Sequence, residues 1–167
     1  MVLDDNYTRN DLMKFDAAMN QMRNAVYHLA RFMREKNVKN MEDRLRRMGK
    51  NIAQTISSYW KPADTVTMDN IRDVIATIFR NILNSSVTVA IDRTNRVITV
   101  TDRKCSMCKY YYDDIQIAGC EIVMGMVSEF INAINKMKIL VLTPIKIKES
   151  RSYGDALCTM EIGYEVK

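Results

Sequence analysis

The spacing of apolar residues changes after residue 83, and this change limits the folds open to the chain. Up to that point apolar side chains recur every three or four residues, which is the period of an amphipathic α-helix. From residue 86 two β-branched runs alternate apolar and polar side chains, which is the period of a β-strand. Helices followed by strands predict an α+β fold.

Three helices are predicted before residue 84. The first runs from about 10 to 36, the second follows Asn40 as N-cap and ends at 61–62, and the third occupies 67–83 with Thr67 as N-cap. The third is expected to be largely buried. The apolar stripe of the first helix is Leu12, Phe15, Met19, Met22, Val26, Leu29 and Met33, and that of the second is Met41, Leu45, Met48, Ile52, Ile56 and Tyr59.

The second half of the chain contains two predicted hairpins with one long helix between them. The runs 86–92 and 96–102 are joined by the turn "RTN", and strands at 138–148 and 156–166 are joined by "ESRSYGD". The intervening helix, 118–137, is apolar around most of its circumference, since its polar residues share one stripe. The predicted order is three helices, a hairpin, a long buried helix and a second hairpin.

Composition indicates one compact domain over 1–167, with a helical part at 1–83 and the sheet, a cysteine loop and a helix at 84–167. No secretion signal or span of about eighteen apolar residues is present, so we expect a cytoplasmic protein without a membrane span. The balance of 25 Lys and Arg against 20 Asp and Glu requires no nucleic-acid partner, and none is expected.

Four cysteines are the candidate metal ligands. Cys105 and Cys108 form a Cys-x2-Cys pair after the second strand, Cys120 opens the long helix, and Cys158 lies in the last strand. Four thiolates suit a closed tetrahedral zinc site, which would be structural. One or two disulfides, or buried thiols without a ligand, are the alternatives.

Other candidate sites favour ordinary structural roles. His28 is the single histidine, so neither a facial metal triad nor an independent Ser-His-Asp set is available. No glycine-rich phosphate loop is present, and no nucleotide is expected. The run "YYYDD" at 110–114 is predicted to be a solvated loop with one or two anchoring rings, and the basic face of Arg44, Arg47 and Lys50 a solvated surface.

The C-terminal half resembles the 4-vinyl reductase domain. The segment "GCEIVMGMVSEFINAI", followed by "ESRSYGDALCTMEI", is similar to that family's pattern of Gly-Cys, an apolar helix, Glu, Gly-Asp-x-x-Cys and a closing strand. The three preceding helices agree with larger relatives, the Bet-three-like subunits of transport protein particle complexes and haem nitric-oxide-binding domains. The matching residues are Gly119, Cys120, Gly125, Glu149, Gly154, Asp155 and Cys158.

The resemblance implies an α/β plait, in which helices cover a four-stranded antiparallel sheet and a pocket between them takes small apolar ligands. Many members have a further cysteine where this chain has Ser150 and Ser152. The haem-binding relatives use a proximal histidine and a Tyr-x-Ser-x-Arg clamp, which this chain lacks, so no haem is expected. Reductase activity is not carried over, because no hydride-donor site is evident.

These observations predict a ligand-binding or sensor domain for small hydrophobic molecules, with a structural zinc or cysteine cluster and no enzymatic role. An assembly subunit and an enzyme of tetrapyrrole vinyl-group metabolism are the alternatives. A homodimer through the N-terminal helices is expected, since their apolar faces exceed what one pair hides. The predicted ligand pocket, between the third and fourth helices and the sheet, is lined by Ile75, Phe79, Val123, Met126, Val127 and Phe130.

Overall fold

The computed structural model describes residues 8–135 and 139–167. Within them lie four α-helices, α1 (Arg9–Glu35), α2 (Met41–Ser57), α3 (Ile71–Leu83) and α4 (Cys120–Ile134). The strands are β1 (Val87–Asp92), β2 (Val97–Asp102), β3 (Leu140–Glu149) and β4 (Cys158–Val166), with a 3-10 turn at Arg151–Tyr153. The predicted order of elements is confirmed. The predicted end of the fourth helix and the start of the third strand, at 136–138, lie outside the described residues.

All four strands form one antiparallel sheet in the order β1-β2-β4-β3. The two predicted hairpins are present, and the pairing of β2 with β4 joins them at the centre of the sheet. Ile98 and Val100 of β2 and Met160 and Ile162 of β4 point to one buried face, whereas Thr99 lies on the other, half-exposed face. This arrangement confirms the α+β class and the four-stranded antiparallel sheet.

Helix α4 lies between helix α2 and the sheet, so it is buried on nearly every side. Two glycines permit its parallel crossing with α2. A Cβ atom on Gly49 would lie 1.9 Å from the carbonyl oxygen of Ile122, and one on Gly125 would lie 2.2 Å from the carbonyl oxygen of Arg46. The absence of side chains at these two positions brings the helix backbones into direct contact.

Two polar residues of the buried helix, Glu121 and Asn132, are paired with neighbouring elements. Glu121 accepts a hydrogen bond at 2.6 Å from Nε of Arg46 on α2. The amide of Asn132 bonds both backbone groups of Leu142 on β3, at 2.7 and 2.9 Å. These bonds satisfy groups that would otherwise be costly to bury, and they fix α4 to α2 on one side and to β3 on the other.

Helix ends differ from the sequence predictions in three places. Asn40 does precede α2, but it has left-handed backbone geometry (φ 56°) and its side chain makes no capping hydrogen bond. Helix α2 ends before Tyr59, which is exposed rather than part of the apolar stripe. Thr67 is not the N-cap of α3, because residues 67–70 form a turn in which Asn70 Oδ1 accepts the Thr67 backbone N–H at 2.8 Å.

Helix α1 buries one side against the loop that follows β2. Val26 and Met33 of its predicted stripe are buried and Met19 is partly buried. Hydrogen bonds from α1 side chains to the loop, rather than a neighbouring helix, hold it in place. The outer part of the stripe is therefore not covered by any other described residues, and it consists of Leu12, Phe15, Met22 and Leu29.

One cluster of buried apolar side chains includes residues of all four helices, the loop after β2 and the sheet. The organisation of residues 1–167 as a single domain stays a prediction. Among the described helices, none combines the length and the apolar composition that crossing a membrane requires.

Candidate metal centre

Four thiol groups converge at one buried point. The Sγ atoms of Cys105, Cys108, Cys120 and Cys158 all lie within 4.8 Å of one another. All four are free thiols, and none is more than 2% exposed. Thiolates bound to Zn²⁺ at about 2.3 Å in a tetrahedron are about 3.8 Å apart, so small side-chain shifts suffice to enclose the ion. The donor set therefore fits a structural zinc site.

The pairing of the central strands explains why distant cysteines meet. Cys158 is the first residue of β4 and pairs with Asp102, the last residue of β2. The loop leaves the sheet immediately after Asp102, so its two cysteines lie beside Cys158. A turn closed by the Cys108 N–H on the Cys105 carbonyl, at 3.3 Å, directs both thiols inward. Cys120 enters from the first turn of α4.

Interactions among the thiols perturb their ionisation. Hydrogen bonds from Cys105, and then from Cys120 and Cys158, hold the pKa of the Cys108 thiol well below its usual range. The same contact with Cys108 raises the pKa of Cys105, and contact with Cys105 raises that of Cys120. The cluster thus favours a thiolate at Cys108 and thiols at Cys105 and Cys120. Such a group of sulfurs is predisposed to bind a cation that stabilises all four thiolates.

Helix α1 supplies a residue that the sequence analysis did not identify. The hydroxyl of Tyr27 donates to Sγ of Cys108 at 3.6 Å and accepts the backbone N–H of Gly119 at 3.1 Å. Burial raises the pKa of Tyr27, so it remains a phenol. The signal in the sequence was weak: two polar side chains, Arg23 and Tyr27, lie one helical turn apart on a face that is otherwise apolar.

Two serines of the turn before β4, Ser150 and Ser152, lie beside the sulfurs. Ser150 Oγ is 3.9 Å from Cys120 Sγ and 3.8 Å from Cys158 Sγ, and it is 2.8 Å from Ser152 Oγ. The backbone N–H of Arg151 donates to Cys158 Sγ at 3.4 Å. These groups surround the thiols with hydrogen-bonding partners of the kind that orient metal ligands.

The remaining residues on which the resemblance to the 4-vinyl reductase domain rests have structural roles around this centre. Gly119 lies where a Cβ would be 3.1 Å from both Met107 O and Tyr27 Oη, and Gly154 has a φ of 98°, which favours glycine. Asp155 accepts the Ser150 N–H at 2.8 Å, and Glu149 accepts the Thr159 hydroxyl at 2.6 Å. Gly125 lies at the crossing with α2.

The six residues predicted to line an internal pocket are all in the apolar core. None is more than 3% exposed, and they lie on the two buried helices α3 and α4. Their burial agrees with an apolar site but does not establish a void, so the pocket stays a prediction. The six are Ile75, Phe79, Val123, Met126, Val127 and Phe130.

A groove open to solvent runs beside the cysteine centre, with a volume of about 330 Å³. It lies between α1, the end of α3 and the loop after β2. Its apolar lining is Phe15, Met19 and Leu83, and its charged lining is Arg23, Lys104, Lys109, Arg151 and Asp16. Arg23 is only 4% exposed, and its Nε has no hydrogen-bond partner among the described residues. The groove therefore combines apolar surface with an excess of positive charge.

The other candidates have the following positions. Tyr112 anchors the "YYYDD" loop by packing on Tyr27, with ring centroids 4.1 Å apart, whereas Tyr110 and Tyr111 are exposed, as predicted. Asp114 forms an ion pair with Arg31 of α1. The basic face of α2 is exposed to solvent, and it consists of Arg44, Arg47 and Lys50. His28 is also exposed.

No family model matches the chain, and no curated protein matches it significantly. Among solved structures, it is similar to trafficking protein particle complex subunit 3 from Naegleria fowleri, covalently bound to palmitic acid. That likeness has a TM-score of 0.69 and 11% identity over 90% of this chain and 98% of the other. The phenol-responsive sensory domain of the transcription activator PoxR, with phenol, gives a TM-score of 0.46 and 14% identity over 89% of this chain and 73% of the other. The first likeness shows that the chain shares the fold of that subunit.

Proposed function

We propose that this protein is a non-enzymatic, cytoplasmic binding domain stabilised by a structural Zn²⁺ ion held by Cys105, Cys108, Cys120 and Cys158. The observation that carries the proposal is the convergence of four buried thiols within 4.8 Å. Soft thiolate donors select zinc over magnesium or calcium, which bind oxygen. Four protein ligands leave no open coordination position, so the ion has a structural role.

The ion would join three separate segments. Two ligands belong to the loop after β2, one to α4 and one to β4. Helix α1 rests on the same loop, and Arg23 Nη1 donates to the Ser106 carbonyl at 2.7 Å. Zinc binding would therefore fix the loop and, through it, the position of α1.

Metal analysis tests the zinc site directly. We expect about one zinc per purified chain, and a Co²⁺-substituted protein with the absorption of a tetrahedral thiolate site. Cys108→Ser should lower the zinc content at least tenfold, whereas the matched control Ser106→Ala, in the same loop, should retain it. Metal-free protein in which all four native thiols titrate freely, or a disulfide between any two of them, would refute the site.

For the ligand, we propose an amphipathic anion with an apolar tail, bound in the groove beside the centre. Four cations against one carboxylate favour a negatively charged head group, and the unpartnered Nε of Arg23 is a buried donor. The three apolar side chains of the groove offer surface to the tail, at about 25 cal/mol per Å² buried. This assignment places the ligand at the groove, whereas the predicted α3–α4 pocket would take uncharged hydrocarbons.

Titration with dodecanoate and with dodecanol distinguishes the two ligand sites. Binding at the groove requires the carboxylate, and it should weaken severalfold in Lys104→Ala/Lys109→Ala but not in the control Lys61→Ala/Lys148→Ala, whose lysines are exposed elsewhere. Equal binding of the alcohol, with xenon bound between α3 and α4, would favour the pocket instead. If neither amphiphile binds and tetrapyrrole fragments do, the tetrapyrrole alternative takes precedence.

A second candidate function is that of an interaction subunit in a larger assembly. The exposed apolar side chains of α1 favour it, because a row of large apolar residues on one helix face is typical of a protein–protein contact.

A further inference from the structure

Three exposed residues of the α1 stripe, together with three apolar residues beside it, form a row that the protein core does not cover. This row is called the exposed stripe. Its members recur at spacings of three and four residues, and all are exposed: Phe15, Ala18, Met22, Ala25, Leu29 and Phe32. The four large side chains among them are between 39% and 54% exposed. The core contacts of α1 are made by a different row, which includes Val26, Ala30 and Met33.

The spacing of the exposed stripe is that of a coiled-coil seam. Residues that alternate by three and four keep one straight face toward a partner helix. The stripe from Phe15 to Phe32 is about 26 Å long at 1.5 Å per residue. This length and regularity indicate another helix, rather than a small molecule, as the occupant.

The sizes of the stripe residues indicate that the partner is α1 of a second copy of the chain, packed antiparallel to the first. If Met22 lies opposite Ala25 of a second copy, Ala18 lies opposite Leu29 and Phe15 opposite Phe32. Each alanine then faces a large side chain, so the four inner layers have similar volumes, as close packing requires, and a pair of phenylalanines lies at each end. A parallel pair would place alanine opposite alanine and leave gaps between layers of large residues.

The charges of α1 complement each other in the same arrangement. On the exposed flank of the stripe, Lys14 of one copy would lie near Glu35 of the other, at both ends of the pair. The charge complementarity rests on these Lys14–Glu35 pairs, because the first half of the helix contains Arg9 as well as Asp11 and Asp16 and has no net charge. Antiparallel pairing brings opposite charges and opposite helix dipoles together.

We propose that two copies of this chain form a two-fold symmetric dimer through an antiparallel pair of α1 helices, with Met22 and Ala25 at its centre. The stripe is self-complementary, which is the condition for a closed dimer. The proposal does not depend on the zinc site, it shares Phe15 with the proposed ligand groove, and it assigns the interface to α1 without α2.

Light scattering of the full chain at about 50 µM tests the interface. We expect a dimer that Met22→Glu converts to a monomer, with Leu29→Lys as a second variant that should do the same. The matched control is Met13→Glu, since Met13 is 64% exposed on the opposite side of the same helix and should leave the dimer intact. Circular dichroism melts establish that each variant folds. A monomeric parent, or a dimer that survives both stripe variants, would overturn the proposal.

Charge exchange tests the direction of the helices. Lys14→Glu should weaken the dimer about tenfold, because two exposed ion pairs become repulsive. Lys14→Glu/Glu35→Lys should restore the parent affinity. If the double variant is no tighter than Lys14→Glu alone, the antiparallel register is wrong.

Discussion

The hydroxyl of Tyr27 illustrates how one atom links two parts of the molecule. It donates to a cysteine sulfur and accepts a backbone N–H, so it joins α1 both to the candidate metal ligands and to the start of α4. We predict that Tyr27→Phe lowers the free energy of unfolding by about 1–3 kcal/mol, because the buried Gly119 N–H loses its acceptor. Zinc affinity should fall about 10- to 100-fold, as for other residues that orient metal ligands.

The control for this prediction is Tyr111→Phe, which removes a hydroxyl from an exposed tyrosine in the neighbouring loop. Competition with a chromophoric chelator measures the zinc affinity, and urea unfolding measures stability. A loss of stability with unchanged zinc affinity would mean that Tyr27 supports the fold but does not orient Cys108.

At the scale of elements, the crossing of α2 and α4 depends on the absence of two side chains. We predict that Gly125→Ala destabilises the protein by about 1–3 kcal/mol, despite the better helix propensity of alanine, because the new Cβ would overlap the backbone of Arg46. Gly49→Ala should behave similarly. The control Gly163→Ala should cost less than about 1 kcal/mol, since its Cβ would meet the end of the Ile145 side chain at 3.3 Å. Urea unfolding that ranks Gly163→Ala with the other two would contradict the close crossing.

The connection between α1 and the loop after β2 is sensitive to acid. Arg31 donates two hydrogen bonds to Asp114, at 2.5 and 2.9 Å, and this holds the pKa of that carboxyl below its ordinary value. The pKa of Asp114 is therefore lower in the folded protein than in the unfolded chain, where it is about 3.9. The ion pair with Arg31 stabilises the fold above the unfolded pKa, and this stabilisation is lost as the pH falls through the folded pKa. We predict that Asp114→Asn reduces the loss of stability between about pH 5 and pH 3. Urea unfolding at a series of pH values measures this loss. If parent and variant lose the same stability over this range, the prediction is wrong.

The elements themselves could be predicted from the sequence because their hydrophobic periods are long and regular. Both hairpins and the buried fourth helix follow from alternation and from apolar residues on all faces. Helix starts could not, because Asn40 and Thr67 are good capping residues by type, whereas their roles depend on local backbone geometry. The apolar stripe correctly predicted helix α1, but its periodicity could not show that some of the stripe residues would remain exposed.

At the scale of the whole molecule, the candidate centre could be predicted only as a set of residue types. Four cysteines indicated zinc, disulfides or free thiols, and it was the pairing of β2 with β4 that brought Cys158 to the loop. The contacts of Ser150 and Tyr27 with the sulfurs could not be predicted, because they depend on how α1 and the turn before β4 pack against the cluster. Sequence spacing does not contain such long-range geometry.

Removal of the metal should affect one region of the molecule rather than all of it. The loop after β2 has little regular secondary structure, so its order would rest on the ion, and α1 is attached mainly through that loop. We predict that a strong chelator lowers the unfolding temperature and increases amide hydrogen exchange in 103–119 and along α1. Exchange in the β1–β2 hairpin and at the α2–α4 crossing should change little, because backbone pairing and apolar packing hold those parts together.

Hydrogen exchange followed by mass spectrometry, with and without chelator, makes this comparison. The Cys108→Ser variant should show the same pattern without chelator, which separates loss of the ion from any direct effect of the reagent. Re-addition of Zn²⁺ should restore protection in the parent but not in the variant. Because binding requires thiolates, more chelator should be needed at pH 8 than at pH 6 for the same effect. Uniform loss of protection across the chain, or none in 103–119, would show that the four cysteines do not hold the loop through a metal.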